Sequence, residues 1–267
     1  MEIHLYCLCW NDADILPFFF RHYDPMVSRY FIFDDNSTDG SLELLHSHPN
    51  VEVQRFVRSD PDSFTLSELS FSNEAWKSSR GRAHWVIVTD IDEHLFHPDL
   101  TALLTGYQAL GITIAPALGY QMISDKFPYD DELLCETRVD GAMSDLYSKL
   151  AVFDPTAITE IGYGYGRHGA SPSGSVIAPS CDELLLLHYK FLGFERTHLR
   201  HQKQREGLGR KDFENGWGYQ YSWSEHDFGQ AWREFARNAI DVRTDAAITS
   251  YPTPRWWDPF RSVATDV

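Results

Sequence analysis

The chain has 267 residues, of which 43% are hydrophobic and 14% aromatic, so it carries ample apolar material for a core and no disordered composition. Acidic residues outnumber basic ones 39 to 23, a formal charge of -16 that repels a nucleic-acid backbone and sets duplex binding aside. No apolar run approaches ~18 residues and no signal-like core opens the chain, so the expectation is a soluble, cytoplasmic protein, at most peripheral to the inner face of a membrane.

In chain order, "IHLYCLCW" reads as a buried strand and "ADILPFFFRHY" as a helix, with Asp14 as its N-cap and Pro17 in the tolerated first turn. "SRYFIFDDNSTDGS" is a second strand running into a polar loop, and "SLELLHSH" is a short helix after it. "VEVQRF" is a third strand, and "TLSELSFSNEAWKSSRGR" has helical apolar spacing. "HWVIVTDIDEHLF" is read as one continuous fourth strand, "PDLTALLTGYQALG" as a helix and "ITIAPALGYQMI" as one fifth strand. This alternation predicts a parallel sheet covered by helices on both faces.

After Ser124 the pattern loosens. "DKFPYDDELLCETRVDGAMSD" reads as a long excursion, "SKLAVFDP" as a strand, "IGYGYGRHGASPSGS" as a mobile Gly/Ser loop, and "ELLLLHYKF" as the return to the sheet. The basic run "ERTHLRHQKQREGLGRK" is a solvated helix face or a hold for an anionic acceptor, and Trp256 and Trp257 in the aromatic tail are expected to pack onto the sheet. Cys7, Cys9, Cys135 and Cys181 form no CxxC pair and are expected to be buried, reduced thiols.

Acidic clusters close three strands: "WNDAD", "DDNSTDG" and "DIDEH". Ligands of open parallel sheets bind beyond the carboxyl ends of strands, so the coincidence of these acids on one edge marks a candidate site. On an extended backbone Asp90 and Asp92, spaced i and i+2, point to the same side and can share one cation. Two hard oxygen ligands suit Mg²⁺ or Mn²⁺, which then accepts a diphosphate that bare carboxylates would repel. Glu93 points to the other face, where it either joins the site or pairs with a basic neighbour. Asn11 and Asp12 either line a base pocket or form the turn capping the following helix, and Asp39 is read as a cap.

The segments "CLCWNDADILPFFFRHY", "RYFIFDDNSTDGSLELL" and "WVIVTDIDEHLF" resemble the first three blocks of GT-A glycosyltransferases, in the branch around families 2 and 92. The resemblance covers roughly residues 3–100 and continues more loosely to about 211. It implies an α/β, Rossmann-type, mostly parallel sheet flanked by helices in a single domain. Residues 1–211 would form the glycosyltransferase domain, with a nucleotide-sugar-binding half in 1–100 and an acceptor and metal half in 101–211. Residues 212–267 would be an aromatic-rich extension packed on the same domain.

By the same resemblance, "DIDE" corresponds to the DxD motif, so Asp90 and Asp92 would bind Mn²⁺ or Mg²⁺ bridging the diphosphate of a nucleotide sugar, a UDP-sugar foremost. Asp34 and Asp35, with Asn36 and Ser37 beside them, would contact base and ribose, and Asn73 of "FSNEAW" would line the donor pocket. Lys149 would lie near the donor, His188 would be a third metal ligand with His168 as its alternative, and Lys190 would meet a phosphate. The acceptor would be a saccharide or a lipid-linked saccharide. An inverting transfer needs a carboxylate at the acceptor hydroxyl, and the candidates are Asp125, Asp130, Asp131, Glu132 and Asp145, with Asp125 favoured because it follows the fifth strand. Two other readings use the same pocket: a metal-dependent nucleotide-sugar phosphohydrolase and a non-catalytic binding module.

Overall fold

The computed structural model describes residues 1–129 and 131–262; Asp130, one of the base candidates, lies outside the described residues. In chain order the elements are β1 (Ile3–Cys9), α1 (Leu16–Tyr23), β2 (Arg29–Asp34), α2 (Ser41–Ser47), β3 (Val51–Arg55), α3 (Phe64–Glu74), β4 (Trp85–Val88), β5 (Glu93–Phe96), α4 (Leu100–Ala109), β6 (Ile114–Ala115) and β7 (Leu118–Ser124). They continue as α5 (Leu134–Thr137), β8 (Asp140–Met143), β9 (Val152–Phe153), β10 (Ile158–Glu160), β11 (Ser173–Gly174), β12 (Leu185–Leu192), α6 (Phe194–Glu206), α7 (Arg210–Glu214), α8 (Glu225–Asn238), β13 (Ile240–Asp241) and α9 (Ala246–Thr249).

A six-stranded sheet runs β3-β2-β1-β4-β9-β6, and its first three pairings are parallel. β1 and β4 are buried along almost every position, the pattern of strands covered on both faces. α1 supplies part of that cover with Leu16, Phe18, Phe19 and Tyr23, each worth roughly 1.5–3 kcal/mol of burial. Its Pro17 sits in the first turn as expected, but the N-cap is Ile15 rather than Asp14, whose carboxylate instead pairs with Arg196 Nε at 2.7 Å.

Two stretches read as single strands are each broken in two. β4 stops at Val88 and β5 begins at Glu93, on the far side of a turn closed by Glu93 N–H donating to Asp90 O at 3.1 Å. β6 and β7 likewise divide around Pro116. The second half of each belongs to a second sheet, β13-β8-β7-β12-β5, in which only β7 and β12 are parallel neighbours. The mostly parallel sheet is therefore followed by a mostly antiparallel one, and the acidic turn is the hinge of chain between them.

The Gly/Ser loop is ordered: Tyr163 bridges Ala170, Gly164 N–H donates to Gly169 O at 3.0 Å, and Arg167 is buried. Late segments also pack into the body of the fold. Asp212 is fully buried and accepts from Ser63 Oγ at 2.6 Å and Phe64 N–H at 2.8 Å, which ties α7 to the N-terminus of α3. Trp257 is buried with its Nε1–H donating to Asp182 at 2.9 Å. Cys7, Cys9 and Cys135 are buried free thiols, whereas Cys181 is exposed. Among the described residues no helix is long and apolar enough to cross a membrane.

Candidate active site

Strand order reverses at β1, which has β2 on one side and β4 on the other, so the crevice expected of such sheets opens beyond the carboxyl ends of β1 and β4. Trp10, Asn11 and Asp12 emerge from the first strand there, and Asp90 from the fourth. The second sheet completes the place: in register across β7, β12 and β5 stand Gln121, His188 and Glu93, directly opposite one another and so on one face.

On one side of the turn the acids are met by protein cations. Glu93 is fully buried, with one carboxylate oxygen 2.5 Å from Lys149 Nζ and the other 2.8 Å from an Arg167 nitrogen. Burial opposes its ionisation, yet Arg167 and Lys149 outweigh it and hold the carboxyl well below the usual range. The same Arg167 nitrogen is 2.8 Å from Asp90 Oδ2, its other terminal nitrogen donates to Val88 O at 2.8 Å, and its Nε lies 3.8 Å from Glu68 Oε1. Arg167 takes a positive φ of 55° to reach this position, an uncommon conformation for a side chain of its size. Glu68, pointing in from α3, is raised to about 7 by burial, against the pull of Arg167.

On the other side, two ligand-type groups face each other. Gln121 Nε2 donates to Met122 O at 2.9 Å and to His188 O at 3.1 Å, which leaves its Oε1 to accept from His188 Nδ1 at 2.8 Å. That bond fixes the tautomer, so the lone pair of a neutral His188 sits on Nε2, 3.5 Å from Asp92 Oδ1. Burial raises the Asp92 carboxyl, but His188 and then Lys190 outweigh it and hold the group well below the ordinary carboxylate range. Tyr147 packs on the His188 ring with centroids 4.1 Å apart.

Asp90 and Asp92 therefore do not share one side of an extended strand, because the backbone turns between Val88 and Glu93. Asp90 is held by Arg167, and among the described residues no group of three or more His, Cys, Asp or Glu side chains is arranged to hold a metal. A two-ligand pair nevertheless fits Mg²⁺ or Mn²⁺, which commonly binds through one or two protein groups together with substrate phosphates. Asp92 and His188, with a hydrogen-bonded second shell in Gln121, have that chemistry. His168 is exposed, and its Nδ1 is 2.5 Å from Leu146 O.

The residues expected around a nucleoside gather at the ends of β1 and β2. Asp34 is buried, its Oδ2 accepts from Ser37 N–H at 3.0 Å, and its Oδ1 has no partner among the described residues. Asp35 pairs with Arg58 at 2.6 Å, and Arg58 donates in turn to Gly207 O at 2.9 Å. Asn11 and Asn36 both have positive φ, 54° and 60°; Asn11 Oδ1 accepts from Thr38 N–H, which is turn chemistry, while Asn36 is exposed. Asp12 accepts from Arg200 at 2.5 Å and is raised by burial to about 6. Asp39 ties the start of α2 to the β1 loop through Ser41 and Ala13.

Other expected residues are engaged elsewhere. Asn73 pairs on both sides of its amide with the Tyr163 backbone, so it pins the glycine-rich loop to α3. Lys149 is buried in the Glu93 network, 4.0 Å from Asp90. Lys190 donates to Tyr221 Oη at 3.0 Å and lies over its ring. Asp125 lines a separate cleft of about 640 Å³ with Arg138, Asp140 and Ala239, and accepts from Trp232 Nε1 at 3.4 Å. That cleft holds none of the paired groups described above. Asp145 is exposed at the start of a 3-10 helix, Asp145–Tyr147, which carries Tyr147 onto His188. Glu132 is bound to Arg138 at 2.7 Å, and Asp131 is exposed.

Sequence reading missed Arg167, Glu68, Gln121 and Arg200. A lone arginine in a glycine-rich loop was the available signal for the first. Arg200, with Arg196, converts the basic run into a lid on the acidic end of β1, where the two pair with Asp12 and Asp14.

The first sheet is parallel across β3, β2, β1 and β4 and carries acids at the carboxyl ends of β1, β2 and β4, the edge at which open α/β sheets bind their ligands. No family model matches the chain. It is 33% identical over 102 residues to a glycosyltransferase family 92 protein of Arabidopsis thaliana, a match spanning 36% of this chain and 17% of that protein. Among solved structures it is similar to TarS of S. aureus, at 9% identity and a TM-score of 0.36, covering 59% of this chain and 29% of the longer TarS chain or 48% of TarS 1-349, the latter also solved with UDP.

Proposed function

We propose that the protein transfers a sugar from a nucleoside diphosphate donor, UDP-sugar foremost, to a saccharide hydroxyl, with inversion. The observation that carries this reading is the Asp92–His188 pair, two ligand-type groups 3.5 Å apart, one with its tautomer fixed from behind, at the crevice where the fold type holds its ligands. Asp92 and His188 would hold Mn²⁺ or Mg²⁺, which supplies charge neutralisation to a departing diphosphate. Lys190 adds positive charge on the same side. Asp34, with one buried acceptor oxygen lacking a partner, suits an N–H or hydroxyl of the nucleoside, with Asp35, Asn11 and Asn36 beside it. Arg167 and Lys149 hold Asp90 and Glu93 in place, so the turn is rigid before any ligand arrives.

Of the base candidates, Asp145 is the better placed, since its short helix also carries Tyr147 against His188. The test is calorimetric titration with UDP, GDP, CDP and dTDP, with Mn²⁺ and again with EDTA. Metal-dependent binding of one diphosphate supports the reading, and free sugar released from the matching donor at a rate indifferent to acceptors would turn it toward hydrolysis. Binding of none of the four would sink it.

A further inference from the structure

Seven residues, Trp217 to Trp223, contain four aromatic rings: Trp217, Tyr219, Tyr221 and Trp223. Four rings in seven residues ordinarily go to a core, because each carries a large apolar face. Here none of them is fully buried, and Tyr219 is 66% exposed. The segment turns sharply, with Gly216 and Gly218 both at positive φ; Tyr219 stands exposed, while Trp223 packs against the Phe191, Phe228 and Trp232 cluster and Tyr221 against His201.

This surface is continuous with the mouth of the site. Tyr165 packs on Trp217 with centroids 4.5 Å apart, and Tyr165 lies two residues before Arg167, which holds Asp90. Tyr221 meets Lys190, whose charge also acts on Asp92, and Tyr147 packs on the His188 ring beside that carboxylate. Tyr165 is itself 48% exposed.

We infer that Tyr165, Trp217 and Tyr219 form a platform on which a neutral pyranose ring of the acceptor stacks. Sugar rings carry faces of C–H bonds, which are weakly positive and match the negative face of an aromatic ring, while their hydroxyls stay in water. The chain as a whole selects against anions: its formal charge is -16, Arg196 and Arg200 of the basic helix are engaged by Asp14 and Asp12, and Lys190 is given to the donor diphosphate. This rests on the transferase reading and adds the class of acceptor, a neutral oligosaccharide that presents a ring face.

The experiment follows tryptophan emission while the protein with Mn²⁺ and UDP is titrated with neutral tetrasaccharides: β-1,4-glucan, α-1,4-glucan and N-acetylglucosamine oligomers. At least one should shift the emission and bind, and Tyr219→Ala and Trp217→Ala should each weaken it about tenfold, a loss of about 1.4 kcal/mol. Trp217→Phe, which keeps a ring, should retain most of the affinity, and all three variants should bind UDP as the parent does. Absence of saccharide binding while UDP binds overturns the platform and leaves the donor reading standing. Platform-dependent saccharide binding without any nucleotide binding supports the platform and removes the donor reading. Unchanged saccharide affinity in both alanine variants overturns the platform.

Discussion

Asp90 and Asp92 lie two residues apart on one turn, and their surroundings are opposite. Asp90 and its neighbour Glu93 meet Arg167 and Lys149 at hydrogen-bond distance, in a network whose cations are almost wholly buried. The Asp92 carboxylate is paired among the described residues with a histidine 3.5 Å away, longer than a good hydrogen bond, and feels Lys190 from further off. Paired charge in a dry interior is an arrangement the fold requires, since either partner alone would be stranded. A pair that stops short of contact at an open crevice is an arrangement a ligand can use. Acids at the end of a strand thus divide into those that hold the turn and those left open at the crevice.

The largest effect tests the first half of that contrast. Arg167→Met or Lys149→Met leaves Glu93 buried without its full complement, and should cost about 3–5 kcal/mol by urea unfolding, a large share of the stability of an ordinary domain. Asp92→Asn gives up the ion pairing that holds its carboxyl low but leaves no buried charge stranded, and should cost about 1–2 kcal/mol, less than either methionine variant. Equal losses in both would erase the distinction.

The second prediction reverses the readout. Asp92→Asn and His188→Ala should each remove several kcal/mol of charge stabilisation from transfer, a drop of about 100-fold or more in kcat/KM, together with loss of the metal dependence of UDP binding. Retention of full metal-dependent transfer by either variant would move the metal away from this pair.

Much of the first sheet was legible in the sequence, because strands buried on both faces announce themselves as apolar runs and release their acids at the rim. β1, β2 and β3 lie where their patterns put them. The break after Val88 was not legible, since "WVIVTDIDEHLF" keeps a strand-like composition through a turn whose Glu93 is met by Lys149 and Arg167 from far along the chain, whereas Pro116 carries its own signal against a continuous strand. Periodicity reports a residue's local preference, whereas Arg167 and Gln121 act through partners tens of residues away. The glycine-rich loop has a mobile composition for the same reason, and its one arginine, buried against Glu93 and Asp90, is the anchor that composition does not report.

Glu68 gives a smaller effect on the structural side. Its carboxyl is raised by burial from an ordinary 4.5 to about 7, so the fold favours the protonated form. That contribution is fully present below pH 4.5 and is lost as pH rises to about 7. The stability of the parent relative to Glu68→Gln should therefore fall across that window, by at most about 3 kcal/mol, and stay level above it. A difference that grows in the parent's favour as pH rises would mean that Arg167 dominates burial at Glu68.

The smallest expected effect concerns Asp125, the residue favoured as the base from its place after the fifth strand. Its carboxylate lies in the cleft formed with Arg138, Asp140 and Ala239, next to Trp232, while the transfer chemistry proposed here centres on Asp92 and His188. A base must stand within hydrogen-bond reach of the proton it takes, and its loss then lowers the rate by 10²–10⁴-fold. Asp125→Asn should thus leave kcat within about twofold, because an exposed carboxylate with one long indole contact holds neither the turn nor the substrate. A loss on the scale of a general base would place the acceptor in that cleft, away from the aromatic platform, and would make Asp92 and His188 the donor end of a longer site.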